Sequence, residues 1–401
     1  MRLRQTADQA IPGLAGHQQR FLIAGGALLL VSLVGYFSNP AQFFQSYLMG
    51  YMLVLGATVG PLALAMIHQL SGGKWGVVIR RILGAASRVL PVMTVLFIPI
   101  VFGMPHLYHW THADAVAHDE ILQHKALYLN VPFFLIRAAL YFAIWNTLAY
   151  LLNKWSLEQD QTGDPAIAKR MERLSAGGLL IFGLTMTFAA FDWLMSLDPH
   201  WFSTIYGFLV MGGQGLTTMA VTIIALNWLS KYEPMNLAAT PQYFHDLANL
   251  MLAFVILWAY FSFSQYLIIY AGNLPEEITW YTRRLDTSWN FIGQFLIAAH
   301  FAVPFLILLF RRNKRVAQRL VPIAVFLLFM RLVDLFWLIA PQFHEGALAI
   351  SWMDVVLPAG LMALWVGCFL WQLRGRPLLP VYDPQFAEAV PQLADGPHAA
   401  H

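Results

Sequence analysis

Ten apolar runs, each close to the length that crosses a bilayer, constrain this chain more than any short motif in it. They cover roughly residues 21–38, 43–70, 82–103, 128–153, 175–197, 203–229, 244–272, 288–311, 320–341 and 353–373. About 20 apolar residues span the hydrocarbon core as a helix, and a helix satisfies its own backbone hydrogen bonds where no water can. The expected fold is therefore all-α: a polytopic membrane protein with ten transmembrane helices over residues 21–373, between tails at 1–20 and 374–401. Composition points the same way. With 59% hydrophobic and 11% charged residues among 401, the chain has too few polar groups to solvate a globule of that size.

Several function classes fall away at this level. The single cysteine, Cys368, excludes a disulfide framework, a thiolate-held iron–sulfur cluster and the C-x-x-C-H attachment of a c-type haem. Any such centre belongs on another chain. Neither G-x-x-x-x-G-K-S/T nor a G-x-G-x-x-G following a strand is present, so nucleotide binding has no support, and nothing points to nucleic acid. The polar N-terminal stretch MRLRQTADQAIPGLAGHQQR lacks a small-residue cleavage site and reads as a cytoplasmic tail.

Orientation follows from the basic residues near the span ends. Of 24 lysines and arginines, 18 gather on one side: Arg2, Arg4, Arg20, Lys74, Arg80, Arg81, Lys154, Lys169, Arg170, Arg173, Lys231, Arg311, Arg312, Lys314, Arg315, Arg319, Arg374 and Arg376. The other side holds Lys125, Arg283 and Arg284, and three arginines lie within spans. Both termini are expected in the cytoplasm.

Charged and imidazole side chains inside the runs are the candidates for function, because such groups are costly in lipid and usually work there. They are Arg88, Arg137, Asp192, His300, Arg331, Asp334 and Asp354, with His68 and Asp246 near the cytoplasmic ends. Ordered by depth they form a ladder that suits a proton path or, equally, a set of packing braces. Asp334 follows Arg331 by three positions, so the two can pair along one helix face. A bis-histidine haem needs two imidazoles at matched depth; only His300 is deep, and no haem is expected.

The stretch FDWLMSLDPHWFSTIYG, residues 191–207, sets Asp192, Asp198 and His200 among aromatics at the outer surface. Asp198-Pro199 should stop one helix and Ser203 or Thr204 cap the next, leaving a hairpin of about five residues. Asp192 lies on the order of 9 Å down the helix from Asp198. Asp192 and His200, with Trp193, Trp201 and Tyr206, could form a quinone pocket; an aromatic belt above turn carboxylates reads as well.

In the outer loop after the third run, His106, His109 and His112 at i, i+3 and i+6 could share a helical face, with His118 and His124 beyond; no cysteine or carboxylate completes a ligand spacing, and no metal is expected. Residues 273–289 read as an interfacial helix, capped by Asn273, with Pro275 near its first turn, Glu276 and Glu277 at its positive end, and Trp280, Tyr281 and Trp289 at headgroup level. Residues 153–174 read as a charged linker, and the proline-rich tail after Arg374 as an extended segment along a partner.

Three stretches together resemble a known family: DWLMSLDPHWFSTIYG, FSQYLIIYAGNLPEEITWYTRR at 263–284 and RLVDLFW at 331–337. They are similar to the smaller polytopic membrane subunit of alternative complex III, the ActF type, related to the NrfD and polysulfide-reductase membrane subunits. The resemblance implies two four-helix bundles in spans two to nine with peripheral first and last helices, in a bacterial inner membrane. It also implies a larger homologous NrfD-like membrane subunit, an iron–sulfur protein, c-type cytochromes, a terminal oxidase and lipids as partners. Haem c and iron–sulfur clusters would sit on those partners, and menaquinone or ubiquinone, as quinone or quinol, would be the small molecule. The expected function is assembly and proton transfer in a quinol oxidoreductase. Two alternatives stand beside it: this chain is itself the quinol-oxidising site, with Asp192 or His200 taking the proton, or it is a free-standing transporter, which inverted repeats with interrupted spans would favour and which shows none here.

Overall fold

A computed structural model describes residues 6–344 and 346–394; the outermost parts of both expected tails, Arg2 and Arg4 included, lie outside them. The described residues are helical throughout, with no strand and one isolated bridge, Thr6 to Pro377. Among the described residues nine helices are long and apolar enough to cross a membrane. Around them the chain runs α1 (Leu14–Ser38), α2 (Pro40–Ser71), α3 (Lys74–Ser87), α4 (Leu90–Leu96), α5 (Ile98–Leu107), α6 (Val131–Thr162), α7 (Ala166–Trp193), α8 (Tyr206–Leu229), α9 (Pro241–Gly272), a short α10 (Pro275–Leu285), α11 (Asn290–Leu309), α12 (Ala317–Ile339) and α13 (Met353–Leu373).

The third apolar run is not one straight helix. Proline lacks the N–H that an interior helical turn needs, and Pro91 and Pro99 each restart the helix after a break, as the leading residues of α4 and α5. The two halves meet at 53°. Counted as one bent span, they bring the total to ten.

α2 and α8 form the centre. Both are apolar all round, as helices buried on every side are, and each packs against the other and against α7 and α12. α9 lies on the far side of α8, α6 against α7, and α1 against α13. In lipid, helices associate through close backbone approach at small residues, and the α1–α13 seam does this twice. A Cβ on Gly25 would stand 2.6 Å from the Leu364 backbone nitrogen, and one on Gly360 would stand 3.0 Å from the Leu28 side chain.

Three local expectations are corrected. The stretch 153–174 is largely helix: α6 runs on to Thr162 and α7 begins at Ala166, because Arg81 bonds both Ser156 and Asp160 and so ties the extension to α3. Asn273 does not cap the interfacial helix. It adopts φ 46° as the C-cap of α9, leaving Leu274 at the N-cap of α10; asparagine tolerates this left-handed turn better than most residues. The described part of the proline-rich tail, through residue 394, is not an extended segment. It folds under its own chain, burying Leu378, Leu379, Phe386 and Val390, pairing Asp383 with Arg80 and accepting the Tyr243 hydroxyl at the Ala389 carbonyl.

Candidate functional site: separate charge clusters and a polar basin

The ladder of intramembrane polar groups is divided into separate clusters. Where α6 starts and α7 ends, Arg137 grips Asp192 in a fork: Nε reaches Oδ2 and Nη2 reaches Oδ1, both at 2.9 Å. Tyr141, one turn beyond Arg137, donates its hydroxyl to Oδ2 at 2.8 Å. The guanidinium also lies 3.8 Å from the Tyr128 ring centroid and donates to the Tyr128 carbonyl. Asp192 has no exposed surface. A carboxylate with both oxygens committed in this way braces α6 against α7.

Mid-span, Arg331 and Asp334 pair along α12 as the i, i+3 spacing anticipates, and Trp258 of α9 donates its indole N–H to Asp334 at 3.2 Å. The guanidinium lies against Gly213 of α8, where a Cβ would come within 2.1 Å of Nη2. His300 completes the group. Its ring is buried 4.2 Å from that of Trp258, with neither nitrogen hydrogen-bonded. It occupies a π-helical turn, Leu296–Ala302, directly before Pro304, whose missing N–H cannot serve the His300 carbonyl in an ordinary helix.

The remaining rungs are tied down locally. Asp354 accepts from Gln42, Ser46 and the Ser351 backbone, and His344 bonds the same Gln42. Arg88 spends its donors on Asn153 and on the side chain and carbonyl of Gln372. His68 bonds the Gly73 carbonyl beside Trp75, and Asp246 meets Gln242 and His245 at the end carrying the termini. Sequence reasoning missed the neutral partners: Tyr141, Gln42, Ser46, Asn153, Gln372 and Trp258. Tyr141 had a signal, since it stands four residues after Arg137, the spacing of one helix face.

The 191–207 stretch also departs from expectation. α7 ends at Trp193 and a 3-10 turn carries the chain to Leu197, so α8 starts only at Tyr206, with Ile205 rather than Ser203 or Thr204 as its cap. Asp192, Asp198 and His200 take three different partners: Arg137, Arg283 and Asp119. The two tryptophans beside them pack in different surroundings. Trp193 packs among Phe97, Phe142 and Trp145, while Trp201 stacks on Trp280. Trp289 is buried too, its indole donating to the His344 carbonyl. Arg284 of α10, buried over the Trp280 face, donates to three backbone carbonyls, and burial pushes its guanidinium down to about 9.

Asp198 and His200 do line one feature together, a polar basin of about 460 Å³ that also takes in His106, His109, His112, Arg283 and Gln342. The histidines do not share a helical face, because α5 stops at Leu107 and a separate 3-10 turn holds His109–Thr111. Among the described residues no three His, Cys, Asp or Glu side chains converge as a metal site would need.

Beside the basin, His200 meets Asp119 at 2.5 Å and Lys125 donates to the Pro199 carbonyl. The His200 bond, then the Leu122 amide, hold the Asp119 carboxyl below its ordinary value. A carboxyl depressed on folding stabilises above its unfolded pKa of about 3.9, and that contribution is lost as pH falls through the lower folded value. His200→Gln should therefore raise amide exchange a few-fold in residues 119–125 at neutral pH, the scale of an exposed pair, and wild type should approach the variant below about pH 4. Equal exchange at every pH would show the pair idle.

Compared with known families and with characterised proteins, the chain matches no family model and no characterised sequence.

Proposed function

We propose that this chain is an integral membrane subunit of a respiratory quinol oxidoreductase of the alternative complex III kind, acting as assembly scaffold and proton-conducting element. The observation that carries this reading is the mid-span group of Arg331, Asp334, Trp258 and His300, an acid, a base and an imidazole enclosed in apolar helices. Charged groups at that depth are costly and commonly mark proton relays. The one cysteine leaves the redox centres to partners: an iron–sulfur protein, c-type cytochromes and a larger NrfD-like membrane subunit, with a terminal oxidase downstream.

In this reading the bent α3–α5 pair is one span of ten. Spans two to five and six to nine form two four-helix bundles, flanked by α1 and α13, which pack on each other. The 18-to-3 bias of basic residues puts both termini in the cytoplasm of a bacterial inner membrane, and the outer basin then faces the iron–sulfur and haem subunits.

Mild purification of the chain from its native membrane tests the proposal. c-Type haem absorbance and iron–sulfur signals should co-elute with it in fixed ratio. Elution alone, together with solute uptake into vesicles holding only this chain, would overturn the reading in favour of a transporter.

A further inference from the structure

Asp334 and Trp258 have a second surface that the mid-span group does not use. They belong to the inner wall of a cavity of about 670 Å³ bounded by α9, α10, α11 and α12, with Leu209 of α8, a size typical of small-molecule sites. The rim consists of apolar and aromatic side chains on the spans themselves: Tyr260 and Phe263 are each 60% exposed and Ile297 is 65% exposed. The mouth therefore opens sideways into hydrocarbon, and whatever enters arrives dissolved in the bilayer.

The wall selects among lipids. It contains no lysine, arginine or histidine, so a phosphate headgroup would find no counter-charge. It does carry uncharged hydrogen-bonding groups: Gln265, Tyr281, Asn290 and Gln294, besides the Asp334 carboxylate. Trp337 adds an indole N–H that is buried with no acceptor. An orphaned donor costs free energy that a ligand oxygen would recover, and flat indole faces on Trp258 and Trp337 suit a planar ring. The π-helical turn of α11 borders the same space through Leu296, Ile297 and Phe301, and such turns are frequent at functional sites.

We propose that this lateral cavity binds the ring of a quinone or quinol lipid, its oxygens accepting from the Trp337 N–H and the side-chain amides, a quinol hydroxyl donating to the Asp334 carboxylate, and its tail leaving through the α9–α11 mouth. This assignment rests on the quinol-oxidoreductase reading for its ligand class and places the ring away from Asp192 and His200. It concerns binding alone, with electron transfer left to whatever centre a partner supplies.

The test is photolabelling of the intact native complex in lipid nanodiscs with a benzoquinone carrying a diazirine in its alkyl tail. Label should map to residues 256–266 and 293–301. Excess unlabelled benzoquinone should suppress it at least tenfold, and a diacyl phospholipid or a ringless alkyl alcohol should not. Ala259→Trp, which fills the cavity, should lower labelling about tenfold; Asn290→Leu with Gln294→Leu, which keeps the volume and removes two amides, should weaken competition by the quinone. Label that survives both variants, or that the alkyl alcohol displaces equally, would overturn the assignment. Unlabelled cavities in a chain that co-purifies with haem and iron–sulfur subunits would sink this inference and leave the complex-subunit reading standing. Saturable labelling of a chain that lacks such partners would do the reverse.

Discussion

Arg137→Met should remove most of the folded subunit from the membrane, and Asp192→Leu should do the same. Each single change strands a buried charge: Arg137 and Asp192 share two hydrogen bonds at 2.9 Å, and Asp192 has no exposed surface. Breaking a buried pair from one side costs about 3 to 5 kcal/mol, much of the roughly 5 to 15 kcal/mol that holds a typical protein folded. The double variant Arg137→Met with Asp192→Leu should recover most of the loss, because two apolar side chains then occupy an apolar site. It should fall short by about 1 to 3 kcal/mol, since the Tyr141 hydroxyl loses its acceptor. The measurement is the yield and thermal midpoint of detergent-solubilised subunit for the four proteins. A single variant as stable as wild type would contradict the brace.

The same geometry changes what a loss of activity in Asp192→Asn would mean. An amide presents one acceptor and one donor where Arg137 requires two acceptors, so one arm of the fork would face an N–H. A fall in quinol turnover in that variant would follow from lost structure as readily as from a lost proton acceptor. Turnover therefore has to be normalised to assembled complex, and a drop of roughly 10² to 10⁴ per assembled complex, the usual contribution of a positioned base, is what would restore Asp192 to a chemical role.

How much of this was legible in the sequence depends on the range of each interaction. Fold class follows from apolar runs, a local property, and the Arg331–Asp334 pair follows from i, i+3 spacing. The Arg137–Asp192 pair joins residues 55 positions apart, and Trp258 meets Asp334 across 76. Both partners of the first pair stood out as intramembrane charges, yet only the packing of α6 on α7 makes them one unit. The break at Pro91 and Pro99 was written in the chain, but a hydropathy run averages over it. Asn273 shows a different limit: asparagine suits either helix end, and Pro275 at the leading turn of α10 left it to close α9 instead. The lateral cavity had no sequence signature because its wall comes from five helices, and its polar members, amides and aromatic side chains beside Asp334, are each ordinary on their own helix.

Arg331 and Asp334 offer the sharper contrast, because their substitution separates bracing from proton transfer. Their pair is buried on α12 with Trp258 and Gly213 closing around it. A lone charge near the bilayer centre costs about 2.5 to 3.5 kcal/mol on insertion scales, so Arg331→Met and Asp334→Leu should each destabilise the subunit, and the double variant should be more stable than either single one. That pattern of stabilities is common to a brace and a relay. Proton movement gives the second axis. If the pair carries protons, the double variant should assemble and oxidise quinol in liposomes yet translocate fewer protons per electron than wild type, since methionine and leucine offer no site for one. Asp334 is the member placed for this, as it lines the lateral cavity while bonded to both Arg331 and Trp258. Wild-type proton-to-electron stoichiometry in an assembled double variant would exclude an obligatory relay through the pair. It would leave His300, buried against Trp258 with neither nitrogen hydrogen-bonded, as the mid-span group to substitute next.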